Sequence, residues 1–256
     1  MPRLIPPDLI ERIASSDTFT GFEKDFFRRV WTPGLGVYEK RLDALGFRGK
    51  KHVLDCGFGM AQWTVCLADA NTKVSGLEYE ASRVAAAKAI TAGVGIDNVE
   101  LTQGSSEALP YPDATFDAVF CYGVLFLTDL RKSLDELRRV MAPGAELYFT
   151  MNGVGWFLFL VVEEHNKSPH YDPRTIGADA LALSLDYFRG GPMKPGKQLA
   201  TPREVIHALL TERGFRDIEI AAEAGLAQKA DPSIASFYKH QSYLGHDCVY
   251  EIRCRV

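Results

Sequence analysis

The sequence predicts an α/β fold, a doubly wound and mostly parallel sheet with helices on both faces. Three observations predict it. From residue 50 onward, short apolar runs alternate with helical segments of roughly 10–15 residues, the pattern of parallel strands joined by crossover helices. The run at 52–55 breaks into Gly57 and Gly59 before the next helical segment, as a tight strand-to-helix turn requires. The chain has 256 residues and is 46% hydrophobic, enough to fill the core that such a sheet needs.

The elements follow in order. Residues 7–46 read as helices: Leu9, Ile10 and Ile13 fall at helical spacing, and Phe22, Phe26, Phe27 and Val30 do so again. Pro33-Gly34 interrupts this pattern and Val37 to Leu45 resumes it. Strands are expected at 52–55, 73–78, 98–102, 116–121, 145–150, 216–221 and 247–254, with helices at 60–70, 80–93, 129–141 and 202–213. Only about two dozen residues separate the last two strands, which allows the final strand to run antiparallel. Thr201 as N-cap, Pro202 at the first helical position and Glu204 as the third member of a capping box predict the start of the last helix, and Gly214 its stop. The domain organisation expected is one domain over 1–256. It has an N-terminal helical cap (1–48), a core (49–151 and 201–256) and a substrate lid inserted at 152–200.

Composition excludes some functions. The net charge of −4 lacks the basic excess of a nucleic-acid binder, and Arg48-Gly49-Lys50-Lys51 reads as a solvated loop. Cys56, Cys66, Cys121, Cys248 and Cys254 are odd in number and form no C-x-x-C, which favours reduced thiols over disulfides or a zinc site. No signal-like apolar segment opens the chain. The apolar run Trp156 to Val162 is too short to span a bilayer, which needs about 20 residues. The expectation is a cytoplasmic protein that engages neither membrane nor nucleic acid, its oligomeric state, monomer or homodimer, left open.

Four ordered features carry the chemistry. The first is Asp55, Gly57, Gly59 and Ala61 in "HVLDCGFGMAQW": a carboxylate at the sheet edge, then a backbone that lets a ligand approach. The dinucleotide fingerprint fails because Gln62 stands at its third small position, and no phosphate-loop G-K-[ST] is present. The second is Glu78, ending strand two, where a carboxylate can accept two ribose hydroxyls. The third is the polar loop Gly104 to Pro112 leading to the strand Phe116–Cys121, and the fourth is Met141 to Leu147, which turns through Pro143-Gly144 into strand five.

With these four in order, the sequence resembles the class I S-adenosylmethionine-dependent methyltransferases, in particular the small-molecule, ubiquinone-biosynthesis-like branch. The match is dense over 50–150 and continues as a pattern over 201–256. The resemblance implies a Rossmann-like seven-stranded sheet of order 3-2-1-4-5-7-6 with strand seven antiparallel, and S-adenosylmethionine as cofactor. It implies that Gly57 and Gly59 pass beneath the methionine moiety and that Asp55 reaches its amino group. Glu78 would bind the ribose, with Tyr79 beside the adenine. Ser105 and Ser106 stand at the adenine contacts, Cys121 offers its backbone carbonyl to the amino group, and Tyr122 borders the substrate. The sequence departs from the family at Ala61 for the third glycine, Ser105 for a common Asp, and Ala145 for the second glycine of the turn before strand five.

Methyl displacement from a sulfonium mainly requires alignment of the nucleophile and exclusion of water. An oxygen or carbon nucleophile also gains from a base. The [ND]-P-P-[YF] motif common in enzymes that methylate nucleobases or glutamine is replaced by Cys121-Tyr122-Gly123-Val124. A small-molecule acceptor is therefore expected, a metabolite or natural product, with O-methylation favoured. Tyr122 and His165 are the catalytic candidates. His165 reads first as an ordinary lid histidine and second as a base, Trp156–Val162 first as a packing face and second as a substrate wall, and Tyr38 as cofactor cover or helix packing alike. Metal ligation by His165, His170, Glu163 and Glu164 matches no established spacing, and none is expected. The alternatives are a non-catalytic S-adenosylmethionine-binding or regulatory protein, and an enzyme using the same cofactor for other chemistry.

Overall fold

A computed structural model describes residues 3–169 and 171–256, leaving aside the side chain of Phe22. The N-terminal region forms α1 (Pro7–Ser15), α2 (Gly21–Trp31) and α3 (Gly36–Ala44). Then β1 (His52–Cys56), α4 (Gln62–Ala70), β2 (Lys73–Glu78), α5 (Ala81–Gly93), β3 (Val99–Gln103), β4 (Phe116–Cys121), α6 (Leu130–Val140) and β5 (Met141–Asn152) alternate. The chain continues with α7 (Val154–Glu163), α8 (Pro173–Phe188), α9 (Arg203–Glu212), β6 (Arg216–Ala222), the short α10 (Gly225–Gln228), β7 (Ser242–Tyr243), β8 (His246–Asp247) and β9 (Val249–Arg255).

Seven strands form one sheet in the order β3-β2-β1-β4-β5-β9-β6. Neighbours pair in parallel from β3 to β5, and β9 runs antiparallel to both β5 and β6. This is the order and polarity that the family resemblance implied. Since β6 is antiparallel to β9, it points the same way as β5. Cys56, Glu78, Cys121, Asn152 and Ala222 therefore all end strands on one carboxyl edge, where open α/β sheets bind ligands.

Alternate residues feed two separate cores. Val53, Ala118, Phe120 and Tyr148 pack on one face with α3, α4 and the N-terminal helices. Leu54, Val119, Leu147, Phe149 and Ile252 pack on the other with α6 and α9. Burial on both faces is why these strands read as continuous apolar runs rather than as alternating ones.

Two expectations are corrected. β5 begins at Met141, four residues earlier than read, because the Pro143-Gly144 turn is taken up as an irregularity in its pairing with β4. The capping box before α9 does not form. Pro202 is the N-cap, and the Thr201 hydroxyl makes no hydrogen bond among the described residues. Thr201 is instead drawn into the core, its carbonyl accepting from the Tyr250 hydroxyl at 2.8 Å and its N–H donating to Asn152 O at 3.0 Å. Gly214 closes α9 in the left-handed region, φ 74°, as its sequence position predicts. All five cysteines are buried free thiols. No helix among the described residues is long and apolar enough to cross a membrane.

Candidate active site

Asp55 is carried by β1 into the interior, 1% exposed. Burial raises its pKa to about 7; a 2.6 Å hydrogen bond donated by the Thr64 hydroxyl opposes the shift, and the nearby Glu78 charge adds to it. Gly57 follows at φ 77°, and a Cβ there would run into the Val124 side chain. Gly59, at φ 57°, faces open space. Ala61 takes the same left-handed backbone at φ 67° just before α4, which explains why a glycine is usual there.

Glu78 turns its carboxylate back over this loop. Oε2 accepts from Gly59 N at 2.8 Å, and Oε1 accepts from Tyr79 N at 2.9 Å and Glu80 N at 3.0 Å. The backbone thus fixes the carboxylate while lone pairs remain for further donors. Tyr79 stands beside it, 70% exposed. Beyond β3, the Ser105 hydroxyl accepts from Glu107 N at 3.2 Å. Ser106 is buried and its hydroxyl meets Ser133 Oγ at 2.9 Å, so that hydroxyl is engaged in the α6 packing and not turned toward Glu78.

Cys121 ends β4 with its thiol buried, and Tyr122 emerges next. Burial raises the Tyr122 pKa well above the usual phenol value, with the charge of Glu223 acting in the same direction, so the phenol stays protonated. Its hydroxyl donates to Glu223 Oε1 at 2.7 Å. Glu223, 1% exposed and just past β6, organises this side of the edge. It is paired with the equally buried Arg41 of α3. Its Oε2 accepts from the Ser236 hydroxyl at 2.6 Å and from Phe237 N at 3.1 Å. Arg41 also donates to Ala235 O at 2.7 Å and lies 4.2 Å from the centre of the Phe237 ring. Segment 223–238 is thereby tied to α3 and to Tyr122.

Aromatic rings continue outward from there. Tyr238 lies within hydrogen-bonding reach of Tyr122. The Tyr238 and Trp156 rings are 5.4 Å apart, Trp156 and His165 5.9 Å, and Phe159 lies 4.9 Å from both His165 and His240. The structure therefore brings Asp55, Gly57, Gly59, Glu78, Cys121 and Tyr122 to one edge and leaves His165 two rings away from Tyr122. Burial lowers the His165 pKa, helped by the charges of Lys239, Arg29 and His240. His170 lies outside the described residues. Among the described residues no three His, Cys, Asp or Glu side chains come together as a metal site.

Comparison with known proteins identifies the family. A family model described as a methyltransferase domain matches residues 53–144. The ubiquinone/menaquinone biosynthesis C-methyltransferase of Cronobacter sakazakii is 33% identical over 196 residues, covering 69% of this chain and 71% of that protein. The chain belongs to the class I S-adenosylmethionine-dependent methyltransferases. A demethylmenaquinone methyltransferase of Bacillus cytotoxicus is 36% identical over 98 residues, 37% of this chain and 41% of that protein. Against several curated relatives the chain spans less than half of their length, 41–49%. The solved structure of an S-adenosylmethionine-dependent methyltransferase from Mesorhizobium loti has the same fold, with a TM-score of 0.59, 17% identity, and coverage of 87% of this chain and all of that one.

The family cofactor is S-adenosylmethionine, and the crevice suits it. The buried Gln62 Oε1, at the first position of α4, has no hydrogen-bond partner among the described residues. An unpaired carbonyl and a carboxylate, Asp55, beside the same loop are what an ammonium and a sulfonium need. Sequence reasoning weighed Gln62 only as a failed fingerprint position. It also missed Glu223, Arg41, Ser236 and Tyr238. One signal was available: residues 223–248 are far too many for a hairpin between β6 and β9, since hairpin loops run to about 2–5 residues.

Proposed function

We propose that this protein transfers the methyl group of S-adenosylmethionine to a small aromatic metabolite that carries a hydroxyl, and that the hydroxyl oxygen is the acceptor. The cofactor supplies an activated methyl group on a sulfonium. Asp55 and Gln62 hold its ammonium, with the Cys121 carbonyl as a further acceptor. Glu78 takes the ribose hydroxyls, Tyr79 lies along the adenine and Ser105 meets its edge. Gly57 and Gly59 leave room for the methionine chain.

The observation that carries the acceptor reading is the Tyr122–Glu223 hydrogen bond at 2.7 Å. With its proton held on Glu223, the Tyr122 oxygen is left as an acceptor, so it can receive a hydrogen bond from a substrate hydroxyl and orient that oxygen toward the methyl group. The rings of Trp63, Phe237 and Tyr238 around it favour a planar apolar body. Helices α7 and α8 and segment 223–248 would exclude water from above. His165, held neutral near pH 7, stands toward the outer end of this wall and can accept a proton there only if the wall closes further.

A second reading, transfer to a ring carbon, is favoured by the relative named a C-methyltransferase. Both begin by orienting the same hydroxyl. Calorimetry with S-adenosylmethionine and S-adenosylhomocysteine should show binding, and no heat from folded protein would overturn the proposal. Incubation with a panel of catechols and naphthols, followed by mass spectrometry and NMR of the products, separates oxygen from carbon transfer. Tyr122→Phe should lower kcat by about 10²-fold with KM little changed.

A further inference from the structure

At the carboxyl edge β5 outruns its neighbour. β4 ends at Cys121, opposite Phe149, whereas β5 continues through Thr150, Met151 and Asn152 with β9 alone paired to it. Side chains alternate along the strand, so Tyr148, Thr150 and Asn152 share the face on which Phe120 and Tyr122 pack. The neighbouring polar groups on this face are engaged. The Tyr148 hydroxyl donates to Glu251 at 2.6 Å, Thr150 Oγ1 accepts from Gly123 N at 2.8 Å, and Tyr122 donates to Glu223 at 2.7 Å. Asn152 differs. It is 5% exposed, and its side-chain amide makes no hydrogen bond among the described residues. Neither amide atom is fully sealed, unlike the Thr201 hydroxyl, so the side chain still meets open space. Its backbone is fixed: the carbonyl accepts from Thr201 N at 3.0 Å, and Val249 pairs opposite. The side chain does not cap α7 either, which starts after Gly153 without a side-chain cap.

We infer that Asn152 binds the methyl acceptor through a second oxygen substituent, so that the acceptor is an aromatic ring bearing two oxygen groups. This inference rests on the methyltransferase reading above. Tyr122, just past β4, receives the reacting hydroxyl. Thr150 bonds the residue after Tyr122, and Asn152 lies one same-face step beyond Thr150, about 7 Å along the strand. A single substituted ring can bridge that span. The amide offers an N–H donor and a carbonyl acceptor, so it meets a phenol hydroxyl or a ring carbonyl alike. On the other flank Glu223 N donates to the Val249 carbonyl at 3.1 Å, which sets Asn152, Val249 and Glu223 in one row across the edge. The residue that holds the Tyr122 proton and the residue that meets the second oxygen are thus fixed on one frame. An amide stripped of most of its water without a partner costs stability, which an apolar side chain of similar shape does not. A ligand that pairs with the amide recovers that cost as affinity. A ring with one hydroxyl leaves it unpaired.

The test uses the whole chain loaded with S-adenosylhomocysteine and a matched set of probes: 2-naphthol and the 2,3-, 2,6- and 2,7-dihydroxynaphthalenes. At least one diol should bind about tenfold or more tighter than 2-naphthol in calorimetry, and its substitution pattern gives the spacing of the two oxygens. Asn152→Leu keeps the shape and removes the amide. In this variant the preference should vanish, with S-adenosylhomocysteine affinity unchanged and the urea midpoint unchanged or higher. A midpoint that falls would show that the amide serves the fold, and so would overturn the inference. A diol preference that survives in Asn152→Leu, or no diol bound more tightly than 2-naphthol by the wild type, would overturn it as well. Failure of the wild type to bind S-adenosylhomocysteine would instead overturn the methyltransferase reading, so the two failures are distinguishable.

Discussion

The carboxyl edge of the sheet is built differently on its two sides. On the β1–β2 side, the groups facing the crevice come from two consecutive strand ends and the turns after them. Asp55, Gly57, Gly59, Gln62 and Glu78 lie close in sequence, and backbone N–H groups aim the Glu78 carboxylate. On the β5–β6 side, the wall is assembled from α3, the end of β4, α7 and the 223–248 connection, and one buried carboxylate, Glu223, joins three of these four. The first construction depends on local backbone geometry. The second depends on a long-range ion pair, between residues 182 apart in sequence. A site built the first way is set by its turns, whereas one built the second way can be lost through a single distant side chain.

The sharpest way to break this contrast is to remove the tie. Glu223→Leu leaves Arg41 buried without a countercharge, which costs about 3–5 kcal/mol. Urea unfolding should show the loss, and Arg41→Met in the same chain should recover most of it, since removing both charges leaves nothing uncompensated. A loss below about 1 kcal/mol would mean that the pair does not hold the acceptor side together.

The matching change on the other side is Glu78→Ala. It should weaken S-adenosylmethionine binding by about 1.5–3 kcal/mol, the scale of hydrogen bonds to a charged group. The Arg41–Glu223 tie should be untouched, so most of the stability should remain. Calorimetry and urea unfolding on the same preparation separate the two effects. Unchanged affinity would remove Glu78 from the ribose contact.

The same contrast explains what could be read in advance. The succession of strands and helices and the β1–β2 turn chemistry were legible because they depend on periodicity and on spacings of a few residues; the strand order came through the family resemblance. Parallel strands buried on both faces announce themselves as apolar runs, and glycines at positive φ mark the turn. Nothing local in "RLDALGF" or "AAEAGL" says that Arg41 and Glu223 meet. Each is a charged residue on a segment whose neighbours look ordinary, and only the folded sheet, with β9 returning antiparallel between β5 and β6, brings them together. The acceptor side was legible only as an excess of chain: an insertion at 152–200, and a connection too long for a hairpin, with Phe237-Tyr238-Lys239-His240 inside it.

The smallest effect expected is also the most diagnostic of the β1–β2 side, because one group should drive two measurements in opposite directions. Burial holds the Asp55 pKa at about 7, above its ordinary 3.8. The folded protein thus binds this proton more tightly than the unfolded chain does. The stability it contributes is complete below the unfolded value and is lost as pH rises through about 7. Asp55→Asn cannot ionise and escapes that loss, so between pH 6 and pH 8 its stability should gain on the wild type by about 1 kcal/mol. Cofactor binding should run the other way. The ammonium prefers the carboxylate to the acid, so wild-type affinity should rise about tenfold over the same interval while the Asn variant stays flat. Unfolding and calorimetry at both pH values check the pair. If wild type and variant follow the same pH dependence, Asp55 neither titrates near 7 nor faces the cofactor's charge. If stability follows the prediction and affinity does not, the buried acid is real but the ammonium is held elsewhere, with Gln62 and the Cys121 carbonyl as the remaining acceptors.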